Sequence, residues 1–152
     1  MSSKLTFYYT ITSPPARGCL MLIRNLGLTV NLESLDFLKG EHLQEAFLKI
    51  NPLHQVPVLV DGDFTVTESK AILAYLVNSR KPGSSLYPSD PKLRAVVDQR
   101  MYYDATVVFP TILGVVVSQL VFSIDKNMFS FIYVCVFVFL FHSIASNNLR
   151  WC

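Results

Sequence analysis

The segment Asn51-Pro52-Leu53-His54-Gln55-Val56-Pro57-Val58-Leu59-Val60, followed by Asp61-Gly62 and then Glu68-Ser69-Lys70-Ala71-Ile72, constrains the fold more than any other stretch. It reads as turn, proline, short strand, hairpin, short strand and helix start. Val56-Pro57 precedes a β-branched apolar run, so Pro57 stands at a strand entrance, where a missing N–H is tolerated. A cis bond there bends the chain sharply and turns the amide of Val56 outward. An outward amide can pair with an extended peptide, as an added strand does. Asp61-Gly62 between two alternating apolar runs marks a hairpin. Ser69 precedes Ala71, Ile72, Leu73, Tyr75 and Leu76, which are spaced for one helix face. A serine at or near that N-terminus caps it, and the same helix end suits a carboxylate. Singly, Pro57 reads as an ordinary loop proline and Ser69 as a plain cap. Together, at this separation, they suit a peptide-like, anionic small molecule.

The rest of the first half has the same texture. Leu5-Thr6-Phe7-Tyr8-Tyr9 alternates and is aromatic, which predicts a strand. Ser13 before Pro14 and Pro15 is a helix start, a cap followed by a pre-set φ. The helix runs to about Leu26 and Gly27 stops it. Thr29 to Leu35 reads as a second strand. After the polar loop at Gly40-Glu41-His42, the residues Leu43, Phe47 and Ile50 give a short helical stripe that ends before Asn51-Pro52. With the hairpin and a helix from Ser69 to about Ser79, the order is βαβ, α, ββ, α. This is a compact α/β layer of roughly 80 residues.

Residues 81–90 are a linker by composition, with Pro82, Gly83, Ser84 and Ser85 together. Asp90-Pro91 starts another helix, with Leu93, Val96, Val97, Met101 and Tyr102 at helical spacing. Pro110 and Gly114 are expected to disturb it. Beyond them no amphipathic helix face is visible. The run from Met128 to Ala145 has about 18 residues without a formal charge, near the lower limit for a membrane span. Its flanks, Lys126 and Arg150, give no positive-inside bias. Met1-Ser2-Ser3-Lys4 leads straight into the first strand pattern, so no leader sequence is expected.

Composition narrows the chemistry. The formal net charge is +2 over 152 residues, so a general attraction to nucleic acid is not expected. The cysteines are Cys19, Cys135 and Cys152. Their odd number and scatter make neither a disulfide framework nor a zinc pattern, and a reducing cytosol is the default. A dithiol oxidoreductase would need Cys-x-x-Cys or Cys-x-x-Ser at the first helix opening, where Ser13-Pro14-Pro15-Ala16 stands instead.

These residues resemble the cytosolic glutathione transferases, most closely the insect delta class with epsilon as neighbour. The motifs that carry the resemblance are Ser13-Pro14-Pro15-Ala16-Arg17, Gly40-Glu41-His42-Leu43 and Phe47-Leu48-Lys49-Ile50-Asn51-Pro52. His54 to Pro57, Glu68-Ser69, Tyr75-Leu76-Val77 and Asp98-Gln99-Arg100 continue it, so that it spans Lys4 to about Pro110. The resemblance implies a thioredoxin-like N-terminal domain over residues 1–80 that binds glutathione. A linker over 81–90 leads into the start of an all-helical domain over 91–112. That domain normally shapes the pocket for a hydrophobic electrophile. Residues 113–152 depart from the family, and the C-terminal part reads as truncated or replaced. An ending from a retained intron, splice variant or misassembled gene, a membrane anchor, and a buried substitute helix are the three readings.

By the same resemblance Ser13 is the catalytic hydroxyl, donating a hydrogen bond to the glutathione sulfur. A free thiol with a pKa near 8.5 is only a few per cent ionised at neutral pH. Lowering it by about two units takes about 2.7 kcal/mol of differential stabilisation. Tyr8 and Tyr9, the hydroxyls of a tyrosine-type rival, belong more simply to the first strand. His42 lies where the family approaches the glycine carboxylate. The stretch His54, Gln55, Val56 and Pro57 meets the cysteinyl and glycyl parts, with Val56 pairing through its backbone. Glu68 and Ser69 hold the γ-glutamyl end, and Lys70 replaces the usual arginine, keeping the charge without the planar fork. No metal or prosthetic group is implied; glutathione is a co-substrate. The family implies a cytoplasmic homodimer, with the helix around Asp98 to Asp104 at the interface. Conjugation is expected to be impaired by the altered ending. The alternative is a non-catalytic glutathione-binding module anchored in a membrane by residues 128–145.

Overall fold

The computed structural model describes residues 5–121. The Met128–Ala145 run, with Cys135 and Cys152, lies outside the described residues. The elements are β1 (Leu5–Tyr9), α1 (Pro14–Asn25), β2 (Val30–Ser34), a 3₁₀ turn (Glu41–Leu43) and α2 (Glu45–Leu48). They continue with β3 (Val58–Asp61), β4 (Phe64–Val66), α3 (Ser69–Arg80), α4 (Pro91–Tyr103), a π-helical turn (Asp104–Val108) and α5 (Phe109–Val121). Contacts divide the chain into two units, one ending at Tyr103 and the other starting at Asp104.

In the first unit the sheet order is β2-β1-β3-β4. β1 pairs with β2 in parallel and with β3 antiparallel, Phe7 lying opposite Leu32 on one side and Leu59 on the other. β3 and β4 form the hairpin, with Asp61 opposite Phe64. The loop is therefore Gly62-Asp63, one residue later than Asp61-Gly62 suggests. Gly62 takes φ 66° and Asp63 keeps φ negative, the pattern of a turn with glycine first. One sheet face carries Leu5, Phe7 and Leu59 into a core with Ala16, Cys19, Leu20 and Ile23 of α1 and Ile72 and Leu76 of α3. Phe7, Leu59, Ile72 and Leu76 are completely buried. On the other face Tyr8 meets Phe47 of α2, ring centroids 5.7 Å apart.

The helix ends follow local rules. Ser13 caps α1, its Oγ accepting from the Ala16 amide at 3.3 Å, and both prolines occupy the first turn. Gly27 takes φ 64° just past the end, where a residue with a Cβ is strained. Asp90 caps α4 by accepting from the amides of Lys92 and Leu93. Tyr87 then ties the linker to α4: its hydroxyl donates to Asp98 at 3.0 Å, and the Arg94 guanidinium lies 4.6 Å over its ring.

Two further stretches refine the sequence reading. The single stripe through Leu43, Phe47 and Ile50 is a 3₁₀ turn followed by a four-residue helix. In the second unit a helix runs through Pro110 and Gly114 to Val121. Pro110 follows directly on the π turn, so its missing N–H falls where the regular i→i−4 ladder is already interrupted. The wider π turn lies just before, where the proline ring would crowd the carbonyl of residue 106 in a regular helix. Among the described residues, no helix is long and apolar enough to cross a membrane.

Candidate functional site

Strand directions bring the candidate residues to one end of the sheet. β1 ends at Tyr9, and the chain reaches Ser13 three residues after leaving Thr10. β2 runs parallel to β1, so it also ends there, with the Leu35 amide bonded to the Tyr9 carbonyl at 2.8 Å. The following loop carries His42. β3 runs the other way, so its entrance at Val58, opposite Tyr8, lies at this end, and with it residues 54–57. β4 reverses again, and its exit leads to Glu68, Ser69 and Lys70. Four loops and the openings of α1 and α3 thus meet at one sheet end.

Each loop is shaped by its own polar groups. Asn51 is 3% exposed, and its side chain binds two ways: Nδ2 donates to the Gln55 carbonyl at 2.9 Å, and Oδ1 accepts from the Leu53 amide at 3.1 Å. Its carbonyl accepts from the His54 amide, and His54 takes φ 47°. Asn51 therefore templates the loop before Pro57. Sequence reading took it only as half of an Asn-Pro turn; the available signal was an asparagine, which bonds its own backbone in turns, just ahead of a loop that must be held open. The Val56–Pro57 peptide bond is cis, Pro57 is buried and Val56 half-buried. His54 and Gln55 are exposed.

In the loop after β2, Asp36 accepts from the amides of Leu38 and Lys39, and Glu41 accepts from the Asp36 amide at 2.7 Å. The Lys39 contact holds the Asp36 carboxyl below its usual range. Phe37 stacks on His42 at 4.0 Å between ring centroids. The His42 Nδ1 is buried and has no hydrogen-bond partner among the described residues.

At the start of α3, Glu68 rather than Ser69 occupies the cap position. Glu68 takes φ 64°, and no side chain caps the helix there. Ser69 is the first helical residue, a turn where amides lack intrahelical acceptors. Ser13 is half-buried, and the lone pair it lends to the Ala16 amide leaves its O–H to donate elsewhere. The candidates Ser13, His42, His54, Gln55, Val56, Pro57, Glu68, Ser69 and Lys70 thus share the same end of the sheet by topology.

The Cys19 thiol and the Tyr8 phenol are both biased toward their protonated forms. Cys19 is fully buried in α1, and burial pushes its thiol up to about 12, with Lys70 pulling weakly the other way. A thiol kept protonated is a poor nucleophile. Burial and then Glu33 raise the Tyr8 phenol, which opposes a phenolate there. Among the described residues no group of His, Cys, Asp or Glu is placed to hold a metal ion.

Comparison with known proteins identifies the family. Residues 3–78, half of the chain, match the family model described as Glutathione S-transferase, N-terminal domain. The chain is 46% identical over 111 residues to Glutathione S-transferase 1 of Manduca sexta, a stretch covering 72% of this chain and 51% of that protein. A glutathione transferase homologue from Drosophila mojavensis, solved with bound glutathione, aligns at 40% identity with a TM-score of 0.68. That alignment covers 70% of this chain and 49% of the other. An epsilon-class glutathione S-transferase from the housefly Musca domestica aligns at 41% identity and a TM-score of 0.73, covering 81% and 56%. The chain therefore spans about half the length of the relatives it matches. Through its thioredoxin-like N-terminal domain, it belongs to the glutathione S-transferase family.

Proposed function

We propose that the chain binds glutathione at this end of the sheet and promotes attack of its thiolate on an electrophilic carbon of a hydrophobic compound. The observation that carries the reading is the convergence of two helix N-termini, at Ser13 and Ser69, with the 54–57 loop between them in chain order. An extended anionic tripeptide has one donor or acceptor at each of these places. Ser69 and Glu68 take the γ-glutamyl carboxylate and amine, and Lys70 adds charge beside them. Val56 pairs through its backbone beside Pro57, with Gln55 and His54 near the cysteinyl and glycyl parts. His42, whose Nδ1 lacks a partner among the described residues, approaches the glycine carboxylate. Ser13 donates to the sulfur, and the positive end of α1 favours its anion.

The reading extends to a cytoplasmic homodimer whose residues 1–80 form the glutathione-binding domain, with residues 91–112 opening a helical one. It needs no metal or prosthetic group. Thiolate absorbance of bound glutathione tests it: the wild-type thiol should titrate about two units below the free one, and Ser13→Ala should restore an ordinary value. An unchanged titration in Ser13→Ala would remove the donor role. Turnover with a chlorodinitrobenzene-type electrophile reads conjugation itself; normal turnover would end the expectation of an impaired enzyme.

A further inference from the structure

We infer that Cys19 is a positioning residue: its thiol, through the Ser69 carbonyl, sets where the start of α3 sits relative to the start of α1. The inference rests on the proposed glutathione site, whose two anchoring hydroxyls lie on those two helix starts. The Cys19 Sγ donates to the Ser69 carbonyl oxygen at 3.5 Å, a contact between residues 50 positions apart. Cys19 is completely buried, and α1 and α3 pack on each other around it. Six residues separate it from Ser13, about 9 Å along the helix axis. Ile72 and Leu76 also join the core from α3, but they lie further along that helix. Of the buried α1 side chains, the thiol is the one bonded to the anchoring residue itself.

A thiol suits this place physically. It is a small hydrophobe with a weak donor, so it packs without leaving a strong polar group unsatisfied. Burial keeps its proton on well beyond neutral pH, so the donor is present across the neutral range. Displacement at the contact moves Ser69 directly. A tripeptide anchored at Ser69 then presents its sulfur to Ser13 off the productive geometry, and small misplacements of reacting groups carry large rate effects.

The test compares Cys19→Val, which keeps an apolar side chain but removes the donor, with Cys19→Ser, which keeps a donor, both in the full chain. Cys19→Val should raise the pKa of the bound glutathione thiol by about 0.5–1 unit, a threefold to tenfold smaller ionisation constant, and should raise the KM for glutathione. Cys19→Ser should restore both toward wild type. Equal behaviour of the two variants, or an unshifted thiol in Cys19→Val, overturns the inference while a shift in Ser13→Ala leaves the glutathione reading standing. Hydrogen exchange of the Ser69–Ile72 amides without ligand decides the structural part independently: faster exchange in Cys19→Val than in Cys19→Ser supports it, and equal exchange overturns it. If wild type binds no glutathione, the functional reading fails and with it the positioning role.

Discussion

Replacing Asp61 by asparagine tests how the hairpin is tied to α3. The Asp61 Oδ2 accepts from the Tyr75 hydroxyl at 2.7 Å and from the Arg80 guanidinium, two groups on α3. The Asp61 side chain is 7% exposed and that of Arg80 18%. Asparagine keeps the shape and can still accept from Tyr75, so the change removes charge rather than packing. It leaves a largely buried guanidinium facing a neutral amide. Breaking a buried pair from one side costs about 3–5 kcal/mol, and the residual exposure of Arg80 places the effect near 3 kcal/mol. The exposed Lys49–Glu45 pair, 73% and 83% exposed, is the internal control: Glu45→Gln should cost no more than about 0.5 kcal/mol. Urea unfolding followed by circular dichroism reads both, as a lower midpoint at unchanged slope. Tyr75 supplies a second readout. Its phenol is raised, chiefly by the hydrogen bond to Asp61, and Asp61→Asn should bring it back toward its ordinary value. A cost below about 1 kcal/mol in Asp61→Asn, comparable with a surface pair, would refute the claim that this ion pair is a buried one.

Two further outcomes follow from the geometry. Gly27→Ala should destabilise by about 1 kcal/mol because φ is 64° there, whereas Gly18→Ala, in mid-helix with open space around the added methyl, should stabilise by about 0.5–1 kcal/mol; thermal unfolding separates the signs. Cys19 should make the fold alkali-sensitive: its folded thiol holds the proton to about 12 and the unfolded one loses it near 9.0, so its contribution is intact below pH 9 and declines from pH 9 to 12. Relative to Cys19→Val, wild-type stability should fall by about 1.4 kcal/mol per pH unit in that window, and parallel curves would contradict the burial of the thiol.

Local chemistry was enough for most boundaries in residues 5–103. Ser13-Pro14-Pro15 and Gly27 bracket α1 because a cap, a fixed φ and a positive φ act within a turn of where they stand. The hairpin at Gly62 and the helix beginning at Ser69 were legible for the same reason, as was Asp90 opening α4. The form of the disturbance expected at Pro110 and Gly114 was not: it is a π turn over Asp104–Val108 that gives the proline ring room, after which the helix continues through Gly114. Nor could the chain's local pattern disclose the sheet order β2-β1-β3-β4, the tie from Asp61 to Arg80 across 19 positions, or the Cys19–Ser69 bond across 50. Those depend on which buried surfaces meet, a choice made jointly by distant segments as they exclude water. The residue types of the candidate site were thus present in the linear chain, while their shared position at one end of the sheet follows from the mixed parallel and antiparallel strand directions of the folded unit.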